Sequence, residues 1–122
     1  MDFFLDTYAM IEIAKGSKNY EPYLDNLFLT TKYNLAELHY FLLTNFDLNT
    51  ADFYLRKFAE YAVDFDVSVI SKAMALRKSL KAKKLKISYI DCIGYVVAAT
   101  NSAKFLTGDH HFKDLGNVEF VR

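Results

Sequence analysis

The sequence predicts an α/β fold of three layers, with helices on both faces of a central, mainly parallel sheet of about five short strands. Three observations carry that prediction. Short apolar runs alternate with longer segments of helical periodicity. Capping residues stand at the starts of the longer segments. No repeat, low-complexity tract or Pro/Gly/Ser-rich linker interrupts the alternation, so residues 1–122 are expected to form a single domain.

Phe3-Phe4-Leu5 is a continuous apolar run that suits a buried strand, and it stops at Asp6-Thr7, a helix start. Tyr8 to Lys15 follows as helix, with a turn at Gly16-Ser17 and with Pro22 limiting any extension. Leu27 to Thr31 reads as a second strand. Asn34 is expected to cap a helix from Leu35 to about Phe46, and Thr50 another from Ala51 to Ala62. Val63 to Val67 alternates apolar and acidic residues, which predicts a third strand. Ser68 or Ser71 opens a helix running to about Lys84. Ser88 caps the next, Tyr89 to Asn101, whose Gly94, Ala98 and Ala99 suit close packing on a sheet. Lys104 to Thr107 and Val118 to Val121 complete the strands.

Composition narrows the function classes. Apolar residues make up 52% of the chain, which argues against disorder. No apolar run approaches the roughly 18 residues of a membrane helix, and Met1-Asp2-Phe3-Phe4 is no signal peptide, so a soluble cytoplasmic protein is expected. The single cysteine, Cys92, excludes an internal disulfide and reads as a small buried hydrophobe. Fifteen basic residues balance fifteen acidic ones, which argues against coating nucleic acid by bulk charge. The cations are uneven, however: Arg77, Lys78, Lys81, Lys83, Lys84 and Lys86 fall within ten residues that contain no acid. Such a run suits a solvated helix end, whose negative pole favours cations, and equally a contact with RNA.

Four acids have a common destination. In a parallel α/β sheet the carboxyl ends of the strands and the starts of the following helices share one edge, where ligands bind. Asp6 follows the first strand, Asp109 follows Thr107, and Glu37 and Asp91 each fall in the first turn of a predicted helix. Singly, each has an ordinary explanation. Asn34-x-x-Glu37 and Ser88-x-x-Asp91 look like capping boxes, Asp6 could cap a helix, and Asp109 could make a turn after Gly108. Together, four anions on one edge repel unless cations neutralise them, and a hard divalent cation with oxygen ligands does so. His39 lies two positions beyond Glu37 and is expected to project away from the site. Adjacent His110 and His111 read as surface residues, with no zinc site.

Leu5-Asp6-Thr7 after the opening strand, Glu37 within Asn34-Leu35-Ala36-Glu37-Leu38, Asp91 starting a small-residue helix, and Thr107-Gly108-Asp109-His110-His111-Phe112 near the C-terminus resemble the PIN-domain nucleases. Among these the likeness is to the VapC-type toxins of prokaryotic toxin–antitoxin pairs. The resemblance implies a PIN-like α/β/α fold and hydrolysis of RNA to a 5′-phosphate and a 3′-hydroxyl. It places the binding of Mg2+ or Mn2+ on Asp6, Glu37, Asp91 and Asp109, and active-site hydroxyls on Thr7 and Thr107. It further implies a cognate antitoxin and a homodimer, to which the many apolar residues between Leu38 and Tyr61 would contribute. Two positions depart from the pattern: Gly108 where relatives often carry a basic residue, and Tyr8 where small or polar residues are common. An RNA-processing nuclease outside a toxin system and an inactive PIN binding module are the alternatives.

Overall fold

The computed structural model describes residues 2–122. Four short strands, β1 (Phe3–Leu5), β2 (Phe28–Leu29), β3 (Lys104–Thr107) and β4 (Val118–Phe120), form one all-parallel sheet in the order β2-β1-β3-β4. The helices are α1 (Thr7–Ala14), α2 (Lys32–Asn45), α3 (Leu48–Ala59), α4 (Ser68–Ala82) and α5 (Tyr89–Thr100), with 3-10 turns at Lys18–Tyr23 and His110–Phe112.

Strand alternation sends successive side chains to opposite faces of the sheet. Phe4, Leu29 and Phe105 pack with Val69, Ala73 and Leu80 of α4 and Cys92, Val97 and Ala98 of α5. Leu5, Phe28 and Leu106 pack on the other face with Ala9 and Met10 of α1, Leu35, Leu38 and Leu42 of α2, and Ala51 and Phe58 of α3. The three-layer arrangement follows. Gly94 lets α5 come close to the sheet, because a Cβ there would lie 2.9 Å from the Phe4 ring.

The expected third strand over Val63–Val67 is absent, leaving four strands rather than five. After α3 the chain makes a single parallel bridge, Ala62 to Thr30, and then peels away from β2. Val63 and Phe65 are half-buried against the core while Asp64 and Asp66 face solvent, so one-sided packing of an irregular segment produces the strand-like alternation. Asp66 instead anchors the start of α4, its carboxylate accepting from the Ser68 backbone N–H at 3.2 Å.

Two helices begin earlier than expected. Thr31, not Asn34, caps α2, its hydroxyl accepting from Asn34 N–H at 3.3 Å. Asp47, not Thr50, caps α3, its carboxylate accepting from Thr50 N–H at 2.7 Å. An ionised acceptor favours the positive pole of the helix more than a hydroxyl does. Ser88 caps α5 as expected, its Oγ accepting from Asp91 N–H at 3.1 Å.

β1 is the switch point: its neighbour β2 lies on one side and β3, reached after α2 to α5, lies on the other. Crevices outside the carboxyl ends of such strands are where α/β folds bind ligands.

Candidate active site

Asp6 emerges from β1 at the switch point. It is 2% exposed and caps α1, with Oδ1 accepting from Ala9 N–H at 2.8 Å and Oδ2 accepting from the Thr107 hydroxyl. Thr107 ends the neighbouring strand β3 and is fully buried. Its hydroxyl also accepts from Asp109 N–H at 3.0 Å, so a single side chain ties together the acids leaving β1 and β3. Asp109 in turn caps the 3-10 turn, accepting from His111 N–H at 3.0 Å.

Glu37 reaches the same place by another route. Because α2 begins at Lys32, Glu37 lies in its second turn and makes no capping box with Asn34. Instead the Thr7 hydroxyl donates to Glu37 Oε1 at 2.6 Å. Asn34 stands behind this pair, fully buried. Its Nδ2 donates to Thr7 Oγ1 at 3.3 Å and its Oδ1 accepts from the Thr31 hydroxyl at 2.6 Å. Sequence reasoning missed this role for Asn34. Its only signal was a polar residue at a position one turn before Glu37 on the buried face of the helix. Asp91 completes the set from the first turn of α5.

Asp6, Thr7, Glu37, Asp91 and Asp109 thus line one open cleft of about 440 Å3, with Tyr8, Ile11, Tyr40, Phe41 and Thr44 forming its apolar and hydroxyl wall. Thr107 lies beneath Asp6. No Lys or Arg lines this cleft, and among the described residues no Lys or Arg makes an ion pair with any of the four acids. The electrostatic consequence is large. Burial pushes the Asp6 carboxyl up to about 8, against the Thr107 and Ala9 hydrogen bonds that lower it, and Asp91 and Asp109 raise it further. Burial lifts Asp91 to about 6, the Ser88 hydroxyl opposes this, and Glu37 and Asp109 add to it.

The histidines lie at two separate places. His39 turns away from the cleft, its Nε2 lying 2.8 Å from Asp52 Oδ1 on α3. His110, read as a surface residue, is exposed and His111 half-buried; their rings stack with centroids 4.3 Å apart, and each brings a nitrogen toward Asp109. Asp109, His110 and His111 each offer a ligand atom, all lying within 4.8 Å of one another. Cys92 is buried, and burial pushes its thiol up to about 11, as suits an inert hydrophobe.

The PIN domain family model matches residues 3–118. The chain belongs to the PIN-domain family. A comparison with curated protein sequences finds no match, whereas solved structures match along the whole chain. A chain of the Rickettsia felis VapBC2 complex, bound to a DNA fragment from its promoter, is 23% identical with a TM-score of 0.79, covering 100% of each chain. A chain of the DNA-bound VapBC of Salmonella typhimurium is 17% identical with a TM-score of 0.77, covering 98% of this chain and 96% of that one. Mycobacterium tuberculosis VapC20, described as a sarcin-ricin loop cleaving toxin, is 14% identical with a TM-score of 0.76, covering 99% of this chain and 100% of that one. At these identities the likeness is one of fold.

This PIN domain offers a divalent cation an all-oxygen donor set. Four carboxylates and the Thr7 hydroxyl line the cleft, burial and the neighbouring acids raise two of the carboxyls above their ordinary value, and no basic side chain competes. The residues fit a hard cation. The basic run divides: Arg77, Lys81, Lys84 and Lys86 line a separate cavity of about 650 Å3 with Leu85, Ile87 and Ser88, while Lys78 and Lys83 are exposed outside it. Among the described residues, no helix is long and apolar enough to cross a membrane.

Proposed function

We propose that the chain is a divalent-metal-dependent endoribonuclease and the toxin of a toxin–antitoxin pair. The observation that carries the nuclease reading is the convergence of Asp6, Glu37, Asp91 and Asp109, from four separate segments, on one cleft without a balancing cation. Asp6, Asp91, Glu37 and Asp109 would hold Mg2+ or Mn2+, directly or through water. Such an ion supplies charge to offset the anionic transition state of phosphodiester hydrolysis, and lowers the pKa of water near the scissile phosphate.

The chain's own residues do the positioning. Thr107 holds Asp6 and the Asp109 backbone in fixed register, and Thr7, held by Asn34, sets the direction of Glu37. Tyr8 and Tyr40 stand at the wall of the cleft, where unpaired bases of an RNA strand would stack on them. Water attacks phosphorus, the bond from phosphorus to O3′ breaks, and the products are a 5′-phosphate and a 3′-hydroxyl.

The toxin reading is supported by the structural relatives, which are VapBC complexes and a VapC toxin. It is also supported by exposed apolar residues on α2 and α3, which suit a homodimer and an antitoxin segment. Tyr40 is shared between the acidic cleft and a neighbouring groove lined by Leu35, Ala36, His39 and Leu55. An antitoxin helix seated in that groove would reach the acids directly.

The test is cleavage of a labelled RNA by purified protein. Activity should require Mg2+ or Mn2+, disappear in EDTA, and be lost in Asp91→Asn. Full cleavage by Asp91→Asn in chelator would overturn the site assignment.

A further inference from the structure

We propose that the cavity beside the acidic cleft is a second RNA subsite. It takes a nucleotide flanking the scissile bond, with its phosphate on Lys81, Lys84 and Lys86 and its base against the Leu85 and Ile87 floor. This rests on the nuclease reading above and deepens it.

Arg77, Lys81 and Lys84 follow one another at spacings of four and three, so they fall on one stripe of α4 and its exit turn. Lys78 and Lys83 carry the same charge but lie off that stripe. The exit turn is built unusually. Lys84 has φ +63°, the left-handed conformation in which helices commonly place glycine, while Lys84 N–H bonds Lys81 O and Leu85 N–H bonds Leu80 O, each at 2.9 Å. A lysine kept where glycine would be less strained points to a use for its side chain, and that side chain lines the cavity.

Arg77 adds a second pointer. Its guanidinium lies 4.3 Å from the Tyr89 ring centroid, which fixes it in place. Its Nε is shielded from water and has no hydrogen-bond partner among the described residues. A buried donor without an acceptor is costly, and an oxygen of a bound nucleotide would satisfy it.

The start of α5 contributes to both the cavity and the cleft. Ser88 lines the cavity, and its hydroxyl holds the backbone of Asp91, which lines the cleft. The two residues are one helical turn apart, about 5 Å along the axis of α5. A strand crossing the start of α5 would occupy both, and the cations of one site would offset the repulsion that a polyanion meets at the other.

The experiment compares two charge-matched variants, Lys81→Glu/Lys84→Glu and Lys78→Glu/Lys83→Glu, all at exposed positions. Binding of a short fluorescent single-stranded RNA is measured by anisotropy in EDTA across a salt series. The cavity pair should lose at least about tenfold in affinity and flatten the salt slope by about 0.7 per phosphate contact removed. The control pair should stay within about threefold, as expected of a diffuse field. Lys81→Gln/Lys84→Gln should weaken binding in the same direction, which separates lost contacts from introduced repulsion. With Mg2+ present, the cavity pair should raise KM and leave kcat nearly unchanged. Equal losses in both charge-reversed pairs would overturn the subsite while leaving the nuclease reading intact. Conversely, wild-type protein that binds RNA through the cavity but cleaves none with any divalent ion would sink the nuclease reading alone. A poly-glutamate peptide that binds through Lys81 and Lys84, with RNA affinity unchanged in the variants, would show that the cavity receives an acidic protein segment and overturn the proposal.

Discussion

The Tyr8 ring covers Gly108: a Cβ built on residue 108 would lie 2.6 Å from Tyr8 Cζ, and closer still to Tyr8 Cε1 and to the Val121 carbonyl oxygen. The two positions at which the sequence departs from the PIN pattern are therefore one feature. An aromatic ring occupies the space that a side chain between Thr107 and Asp109 would otherwise fill. Space alone requires glycine here.

Gly108→Ala should destabilise the fold by about 1–3 kcal/mol, the usual range for overpacking a tight site. Tyr8→Ala combined with Gly108→Ala should recover only part of this, because the Val121 carbonyl still crowds residue 108. Chemical denaturation of both single variants and the double variant measures the coupling. Additive losses, with no recovery in the double variant, would contradict the compensation.

The elements that local chemistry decides were legible in the sequence. β1, α5 and the Ser88 cap match the expectation to within a residue or two, because an apolar run and a serine before a helical stripe need no distant partner. The errors fall where a tertiary partner decides. Asn34 looks like a cap until the Thr7 hydroxyl, 27 positions earlier, is seen to receive its amide. Val63–Val67 looks like a strand until its exposed acids, and a parallel bridge that ends with Ala62 on Thr30, show it leaving the sheet. Three of the four acids were legible from their own positions, since Asp6 and Asp109 follow strands and Asp91 opens a helix, whereas Glu37 lies a turn deeper in α2 than the sequence suggested. The order of the basic run was legible only in part. Helical spacing separates Arg77 and Lys81 from Lys78, but the turn at Lys84, which places Lys84 and Lys86 on the same cavity, has no local signal in the sequence.

Without a divalent cation, stability should fall as pH rises. The unfolded Asp6 loses its proton near its ordinary value of 3.8, whereas the folded carboxyl keeps it to about 8. Between these values the folded state binds more protons, so the slope is negative and approaches about 1.4 kcal/mol per pH unit for one proton. Asp91, raised to about 6, adds the same sign over the lower part of the window. Melting in EDTA across this range should therefore show wild-type losing stability relative to Asp6→Asn as pH rises, with Mg2+ restoring more at the alkaline end. Parallel profiles for the two proteins would contradict this account.

Asn34→Leu should separate positioning from fold. Removing the amide leaves the buried Thr31 hydroxyl and the half-buried Thr7 hydroxyl each short of a partner, at a cost of about 1–3 kcal/mol. It also frees Thr7 from Asn34, loosening the hold on Glu37. RNA turnover at saturating substrate should fall while KM stays near wild-type, read well below the variant's melting temperature. A fall in stability with unchanged kcat would assign Asn34 to the fold alone.

The last prediction concerns what covers α2 and α3. Leu35, Leu38 and Leu42 of α2 are buried against the core, so its inner face is satisfied. Outside that core α2 still presents Tyr40, 69% exposed, its C-cap Phe46 is 59% exposed, and Phe53 of α3 is 57% exposed. Large exposed aromatics carried by a pair of packed helices suit association with another protein surface. The purified chain should scatter light as a dimer, and co-expression with the product of the neighbouring gene should give a complex that suppresses RNA cleavage. Phe46→Glu and Phe53→Glu should shift the scattering mass toward the monomer while leaving metal-dependent stabilisation in place, because neither residue lines the acidic cleft. A wild-type chain that is a strict monomer, captures no neighbouring product and leaves growth unaffected would overturn the toxin reading. The nuclease chemistry would stand, since it depends on the four acids and not on the face formed by α2 and α3.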